Sequence, residues 1–155
     1  MKFFQRICVA LPLFIVLLLP QAYAEDCSSN TIDLDNGFPH AWGIDQHSTR
    51  FVSAQNTVVN NTNVHRLELK WAYGLQTQSP RSYPYVTKDT IFYGDSGAGL
   101  LALDRETGCV KWRNQDGEGD VASAILAGTS SSGLTLYFTS RRAGVFAVDA
   151  ATGKT

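Results

Sequence analysis

One stretch of this chain occurs twice. The residues from Thr90 to Cys109 (TIFYGDSGAGLLALDRETGC) align without a gap on Thr135 to Lys154 (TLYFTSRRAGVFAVDAATGK), 45 positions downstream. Ala98, Gly99, Ala102, Asp104, Thr107 and Gly108 recur as Ala143, Gly144, Ala147, Asp149, Thr152 and Gly153, and the aromatic and aliphatic positions match in kind. A repeat of that length means that one supersecondary unit is used more than once. Such a unit buries its faces against its own neighbours.

The texture of the chain says which unit. Short apolar or alternating runs (67–73, 83–86, 91–93, 100–103, 110–112, 122–127, 134–138, 145–148) are separated by Lys-Asp, Asp-Ser-Gly, Thr-Gly, Asp-Gly and Ser-Gly turns. No stretch keeps a 3.6-residue period long enough for a sizeable helix, so the pattern is all-β and antiparallel. Four short strands with a period near 45 residues predict β-propeller blades. Within each unit Ala102 or Ala147 allows a neighbour to approach closely. Asp104 or Asp149 can hold the turn backbone, and Gly108 or Gly153 supplies a conformation that a Cβ resists. Trp112 then brings a large flat surface on the fourth strand.

Two apparent nucleotide motifs dissolve in this register. Gly97-Ala-Gly99-Leu-Leu-Ala102 mimics a dinucleotide fingerprint, but its repeat partner Arg142-Ala-Gly144-Val-Phe-Ala147 lacks the first glycine. Gly153-Lys154-Thr155 mimics the tail of a phosphate loop, yet Val148 stands where that loop needs its first glycine.

The N-terminus reads differently. Lys2 and Arg6 precede an apolar run from Ile7 to Pro20, and Ala22-Tyr23-Ala24 offers a small-x-small cleavage site. Residues 1–24 are therefore expected to be a secretory signal, with no membrane span after cleavage. Loss of Lys2 and Arg6 takes the formal charge from −1 to −3. With no basic run, nucleic acid is not an expected partner. The location expected is secreted or periplasmic. Cys8 leaves with the signal, and Cys27 and Cys109 remain. An oxidising compartment permits a disulfide between them, and two separate thiols is the other reading. His40, His47 and His65 have no zinc-like spacing. The loop Asp116-Gly117-Glu118-Gly119-Asp120 is acidic, and oxygen ligands on alternate residues could hold a calcium ion; its spacing does not match an established calcium loop, and a turn between units, where the repeat register puts it, is the other reading. The domain reading is a signal (1–24), an irregular N-terminal segment (25–66) and a partial propeller (67–155). The propeller part holds a ring-closing strand (67–73), one whole blade (82–113) and part of another (121–155).

The span Ala102-x-Asp104-x-x-Thr107-Gly108-x-x-x-Trp112 resembles the tryptophan-docking motif of pyrroloquinoline quinone-type propellers. Ala147-x-Asp149-x-x-Thr152-Gly153 repeats it without the Trp. Trp42-Gly43, Thr49-Arg50-Phe51, Asn63-Val64-x-x-Leu67-x-x-x-Trp71, Leu69 to Gly74 and Arg81-Ser82-x-Pro84 resemble quinoprotein alcohol dehydrogenases, most of all the polyvinyl-alcohol-dehydrogenase-like branch. The resemblance implies that the Trp of one blade stacks on the Ala and the Thr-Gly peptide of a neighbour. It also implies about eight blades, so the partners expected are the missing blades, and an open apolar face is expected to make the isolated chain an unstable monomer.

Pyrroloquinoline quinone and calcium are implied for a full-length parent, and none is expected to bind this fragment tightly. Without a Cys-x-x-Cys-His motif there is no c-type haem site, so the electron acceptor implied is another protein, such as a cytochrome c. Alignment on Pro84 puts Arg81 where these enzymes carry a Glu against the quinone, and the chain lacks their adjacent cysteine pair. Arg81 could still clamp quinone carboxylates; a solvated residue between strands is the other reading. The function implied is the N-terminal part of an exported alcohol-oxidising quinoprotein, itself inactive. The alternative is a non-catalytic envelope scaffold that mediates protein contacts.

Overall fold

The computed structural model describes residues 25–34, 37–38, 42–75, 81–131 and 133–155. The expected signal peptide (1–24) and His40 lie outside the described residues. Two antiparallel sheets follow one another along the chain. The first contains β1 (Tyr85–Val86), β2 (Thr90–Asp95), β3 (Gly99–Asp104) and β4 (Val110–Asn114), hydrogen-bonded in that order. The second contains β5 (Leu126–Ser130), β6 (Gly133–Ser140) and β7 (Gly144–Asp149), also in order. Single 3-10 turns occur at Val64–Arg66 and Gly117–Gly119. Among the described residues there is no α-helix, and none long and apolar enough to cross a membrane.

The period-2 alternation of side chains places the core. Phe92, Leu100 and Ala102 of the first sheet face Leu134, Leu136, Phe138 and Val148 of the second, with Val121 and Ile125 filling the space between; all are buried. The opposite face of the first sheet presents Ala98, Leu101, Leu103 and Val110, which Trp71 and Tyr73 partly cover. The outer face of the second sheet leaves Leu126, Tyr137 and Val145 exposed along an apolar groove of about 460 Å³.

One run departs from the expected strands. The run 122–127 is mostly a linker, because Ala122 N–H donates to Thr139 O (2.8 Å) and Ile125 N–H donates to Tyr83 O (3.0 Å), and strand pairing begins only at Leu126. Apolar character alone does not separate a buried connection from a strand. Leu67–Tyr73 pairs with no strand among the described residues, although Trp71 within it packs on the first sheet.

One irregularity re-aims a charge. The β3–β4 register steps from Ala102↔Trp112 to Leu103↔Val110, which leaves Lys111 as the extra residue of a β-bulge. Its side chain is only 3 % exposed. The ammonium reaches Asp89 Oδ2 (2.9 Å), Thr90 Oγ1 (3.0 Å), the Thr31 carbonyl (3.0 Å) and, at 3.5 Å, Asp104 Oδ2. A buried ammonium is tolerated when it is paired and its protons are satisfied, as here.

Candidate functional site

The antiparallel order sorts the turns to two ends. One end carries the β3–β4 turn and the turn after β7, which share one construction. Asp104 Oδ1 accepts from the Glu106 N–H (3.0 Å), the Thr107 N–H (2.9 Å) and the Thr107 hydroxyl (2.9 Å). Asp149 Oδ1 accepts from the Thr152 N–H (2.8 Å) and hydroxyl (2.7 Å). The N–H of Gly108 donates to Asp104 O (2.9 Å), and that of Gly153 donates to Asp149 O (2.8 Å). Both glycines sit in the left-handed region, at φ +77° and +72°.

Each turn receives a tryptophan from the preceding segment. Trp112 donates its indole N–H to Ala150 O (3.1 Å) and lays its ring on Gly153, where an added Cβ would lie 2.7 Å from Cδ2. Trp71 donates to Arg105 O (3.0 Å) and lays its ring on Gly108 with the same 2.7 Å approach. Arg105 and Ala150 are repeat partners, so the dock occurs twice. Trp71 was not identified as a docking residue by the gapless alignment. The signal was present in the similar spacing of Trp71 to Gly108 and Trp112 to Gly153, blurred because the loops between them differ in length.

The alanine of the motif plays a different part from the one implied. Trp112 lies beside Ala102 of its own sheet, its direct partner across β3 and β4, and directly opposite residues share a face. Ala147 is instead exposed, opposite Tyr137 on the outer face of the second sheet. The neighbour contributes its Thr-Gly turn, and its alanine faces away.

The other end gathers the β2–β3 turn, the connection after β4 and the β6–β7 turn. Buried Asp120 bridges them. Arg141 donates to it through Nη2 (2.7 Å to Oδ1), Nε (3.2 Å to Oδ2) and its backbone N–H (2.9 Å to Oδ2), and the Ser96 hydroxyl donates to Oδ1 (2.9 Å). The Arg141 hydrogen bond, acting against burial, holds the Asp120 carboxyl far below the usual carboxylate range. Asp120 in turn raises the guanidinium. Ser96 and Arg141 occupy the same repeat position, so one carboxylate joins corresponding turns of the two sheets. Neither the Asp120 bridge nor the Lys111 cluster was read from the sequence, because both depend on turns meeting in space.

Arg81 is exposed at this end, next to Ser82, whose hydroxyl accepts from the Gly94 N–H (3.1 Å). Asp116, in the acidic loop, accepts from Asn114 Nδ2 (3.0 Å) and from the Thr155 hydroxyl. Those bonds, the Thr155 one foremost, lower its carboxyl. Among the described residues no three His, Cys, Asp or Glu side chains come together as a metal cluster. The carboxylates of Asp116 and Asp120 are engaged in bonds between the sheets, so they do not form a calcium or quinone cradle as they stand. His47 and His65 belong to no such cluster either.

The loop 42–51 closes against this end. Trp42 and Tyr83 bring their rings to 5.6 Å, and with Gly43 and Arg50 they line a pocket of about 120 Å³. Asp45 organises the loop by accepting from the N–H groups of His47 (2.9 Å) and Thr49 (3.1 Å) and from the Thr49 hydroxyl (2.5 Å). The Thr49 side-chain bond is the main reason its carboxyl is lowered.

Cys27 and Cys109 are joined as a disulfide, with Cα atoms 5.2 Å apart. Cys109 directly follows the docking glycine, so the bridge ties the N-terminal segment to the dock itself.

Residues 39–155 match the family profile described as the glucose/ethanol/alcohol dehydrogenase β-propeller domain, PQQ. Polyvinylalcohol dehydrogenase of Sphingopyxis sp. (strain 113P3) is 26% identical over 137 residues, which are 84% of this chain and 20% of that protein. Polyvinylalcohol dehydrogenase of Pseudomonas sp is 28% identical over 119 residues, 74% of this chain and 18% of that protein. The chain thus spans about a fifth of the length of the curated relatives it matches. Two successive sheets, the same turn built twice and the family match together assign the fold: this chain belongs to the PQQ dehydrogenase β-propeller family.

Proposed function

We propose that this segment supplies the first blade and three strands of the next in an exported quinone-dependent dehydrogenase that oxidises alcohols, polyvinyl-alcohol-like polymers among them. The observation that carries the reading is the repeated tryptophan dock, because it is the device that sets successive blades side by side around a ring. The two polyvinylalcohol dehydrogenase relatives support this choice of substrate. A quinone site at a ring centre draws on several blades, so these residues alone are proposed to be inactive. A quinone and calcium bound in the whole ring would supply the oxidising chemistry, with a protein such as a cytochrome c as the electron acceptor. Arg81, exposed at the turn end of the first sheet, would pair with a quinone carboxylate.

A second reading is a non-catalytic envelope scaffold. It is favoured by Arg81 at the position where the resemblance expects Glu, and by the engagement of Asp116 and Asp120 within the fold. The two readings separate on titrating a chain that carries this segment within a complete ring with pyrroloquinoline quinone and calcium. Dye reduction with polyvinyl alcohol or short secondary alcohols supports the dehydrogenase. Absence of both quinone binding and dye reduction supports the scaffold.

A further inference from the structure

The N-terminal segment touches both edges of the first sheet. Its outer arm, residues 25–34, lies along β4: Val110 N–H donates to Glu25 O (3.0 Å), Cys27 N–H donates to Val110 O (2.9 Å), and Asp26 pairs with Val110 in a parallel bridge. Farther on, Asp33 N–H donates to Asp89 Oδ2 (3.0 Å), Thr31 O accepts from Lys111, and Ile32 and Leu34 pack on the core. The inner arm, Gly37 and Phe38, lies along β1. Phe38 and Val86 exchange two backbone bonds of 2.8 Å each, and Gly37 N–H donates to Tyr85 Oη (2.9 Å). Unpaired strand edges are templates for unwanted pairing, and here both are covered from one segment.

We propose that this segment is a redox-locked clasp: a dithiol that reduces Cys27–Cys109 opens the outer arm while the four-stranded sheet and the inner arm stay folded. In the exchange, a dithiol thiolate attacks one sulfur, the Cys27–Cys109 bond breaks, both cysteines become thiols and the reagent closes to its own disulfide. Both sulfurs belong to half-buried residues, within reach of such a reagent.

The weakness of the remaining contacts makes the opening local. The ion pairs Asp26–Arg113 and Asp33–Lys88 are solvent-exposed, and such pairs contribute little. Lys111 loses only the Thr31 carbonyl and keeps Asp89, Thr90 and Asp104, so no charge is stranded. The disulfide closes a loop across a separation of 82 residues, and without it the outer arm is held by these contacts, the backbone bonds at Val110, the Asp33–Asp89 bond and the packing of Ile32 and Leu34. Opening would bare the β4 edge at Val110 and loosen the residue next to Gly108, on which Trp71 docks. The clasp therefore makes completion of the first blade depend on an oxidising compartment.

The test is amide hydrogen exchange on the full chain, with and without dithiothreitol. On reduction, Cys27, Asp33 and Val110 should exchange about tenfold faster or more, equivalent to about 1.4 kcal/mol. The β2–β3 ladder and the Phe38 and Val86 amides should be unchanged. Unchanged exchange at Cys27 and Val110 would overturn the proposal, and so would simultaneous loss of protection in the β2–β3 ladder. Cys27→Ser should reproduce the reduced pattern without reagent. If that variant fails to accumulate, titration of the unaltered chain with dithiothreitol decides.

Discussion

At Gly108 and Gly153 a side chain is excluded twice over, by a positive φ and by a tryptophan ring lying 2.7 Å from where a Cβ would be. Left-handed backbone costs a non-glycine residue about 1–2 kcal/mol before any clash. Gly153→Ala should therefore lower the unfolding free energy by about 2 kcal/mol or more, read by urea denaturation at fixed protein concentration. Gly144→Ala is the informative control, since its φ is +107° but nothing lies within 4 Å of its added Cβ. It should keep the Trp112 dock intact. Lys111 supports a second prediction. Lys111→Met removes the cation shared by Asp89 and Asp104 and should destabilise by about 3 kcal/mol, because breaking a buried pair strands its partner. The turns were legible because Asp, Thr and Gly each serve a fixed local geometry. Lys111 was not, because a bulge is set by pairing register and leaves no mark in a one-strand pattern.

Between elements, the joint that matters is Asp120 with Arg141 and Ser96. Burial pushes Asp89 and Asp104 upward, but hydrogen bonds outweigh it and both end below the ordinary value: those from Lys111, Thr90 and Asp33 act on Asp89, and those from Thr107 and Glu106 on Asp104, where the Lys111 charge adds to them. Asp120 is lowered furthest. A carboxylate with a depressed folded pKa stabilises the fold fully above its unfolded value, near pH 3.9, and loses that contribution as pH falls through the folded value. Thermal melts should thus fall away below about pH 4, and Asp120→Asn should flatten that acid limb while lowering stability at pH 7. Arg141→Ala removes the guanidinium from buried Asp120 but leaves it the Ser96 hydroxyl and the backbone N–H of residue 141; with the arginine half-exposed, the loss should be about 1–3 kcal/mol. A double-mutant cycle with Asp120→Asn should recover part of that loss. The sequence announced the strands of both sheets but misplaced β5. Val121 to Ile125 is as apolar as a strand, yet its backbone bonds go to Tyr83 and Thr139, across the joint. A pattern read along one chain cannot show which partner a peptide group finds.

For the whole molecule, the 45-residue repeat carried the architecture, since a unit that cannot bury its own faces must stack. The outer face of the second sheet shows what remains unburied: Val145 is 75% exposed, and Leu126 and Tyr137 lie beside it. At micromolar concentration the 155-residue chain should associate, and Val145→Lys should shift it toward monomer in sedimentation velocity. Retention of a single monomeric boundary by the unaltered chain would contradict the reading of that face. The site was less legible than the fold, because a site at a ring centre would draw its residues from different blades, and Arg81 is the one residue that the resemblance put forward for it. The central claim is that successive blades are joined by the same tryptophan dock, and nuclear Overhauser contacts of the indole protons test it most directly. The account predicts slow-exchanging indole N–H protons for Trp71 and Trp112, with ring-proton contacts to the α-protons of Gly108 and Gly153 respectively, and no such contact for half-exposed Trp42. Absence of both glycine contacts, with all three indoles exchanging at the rate of free tryptophan, would contradict it.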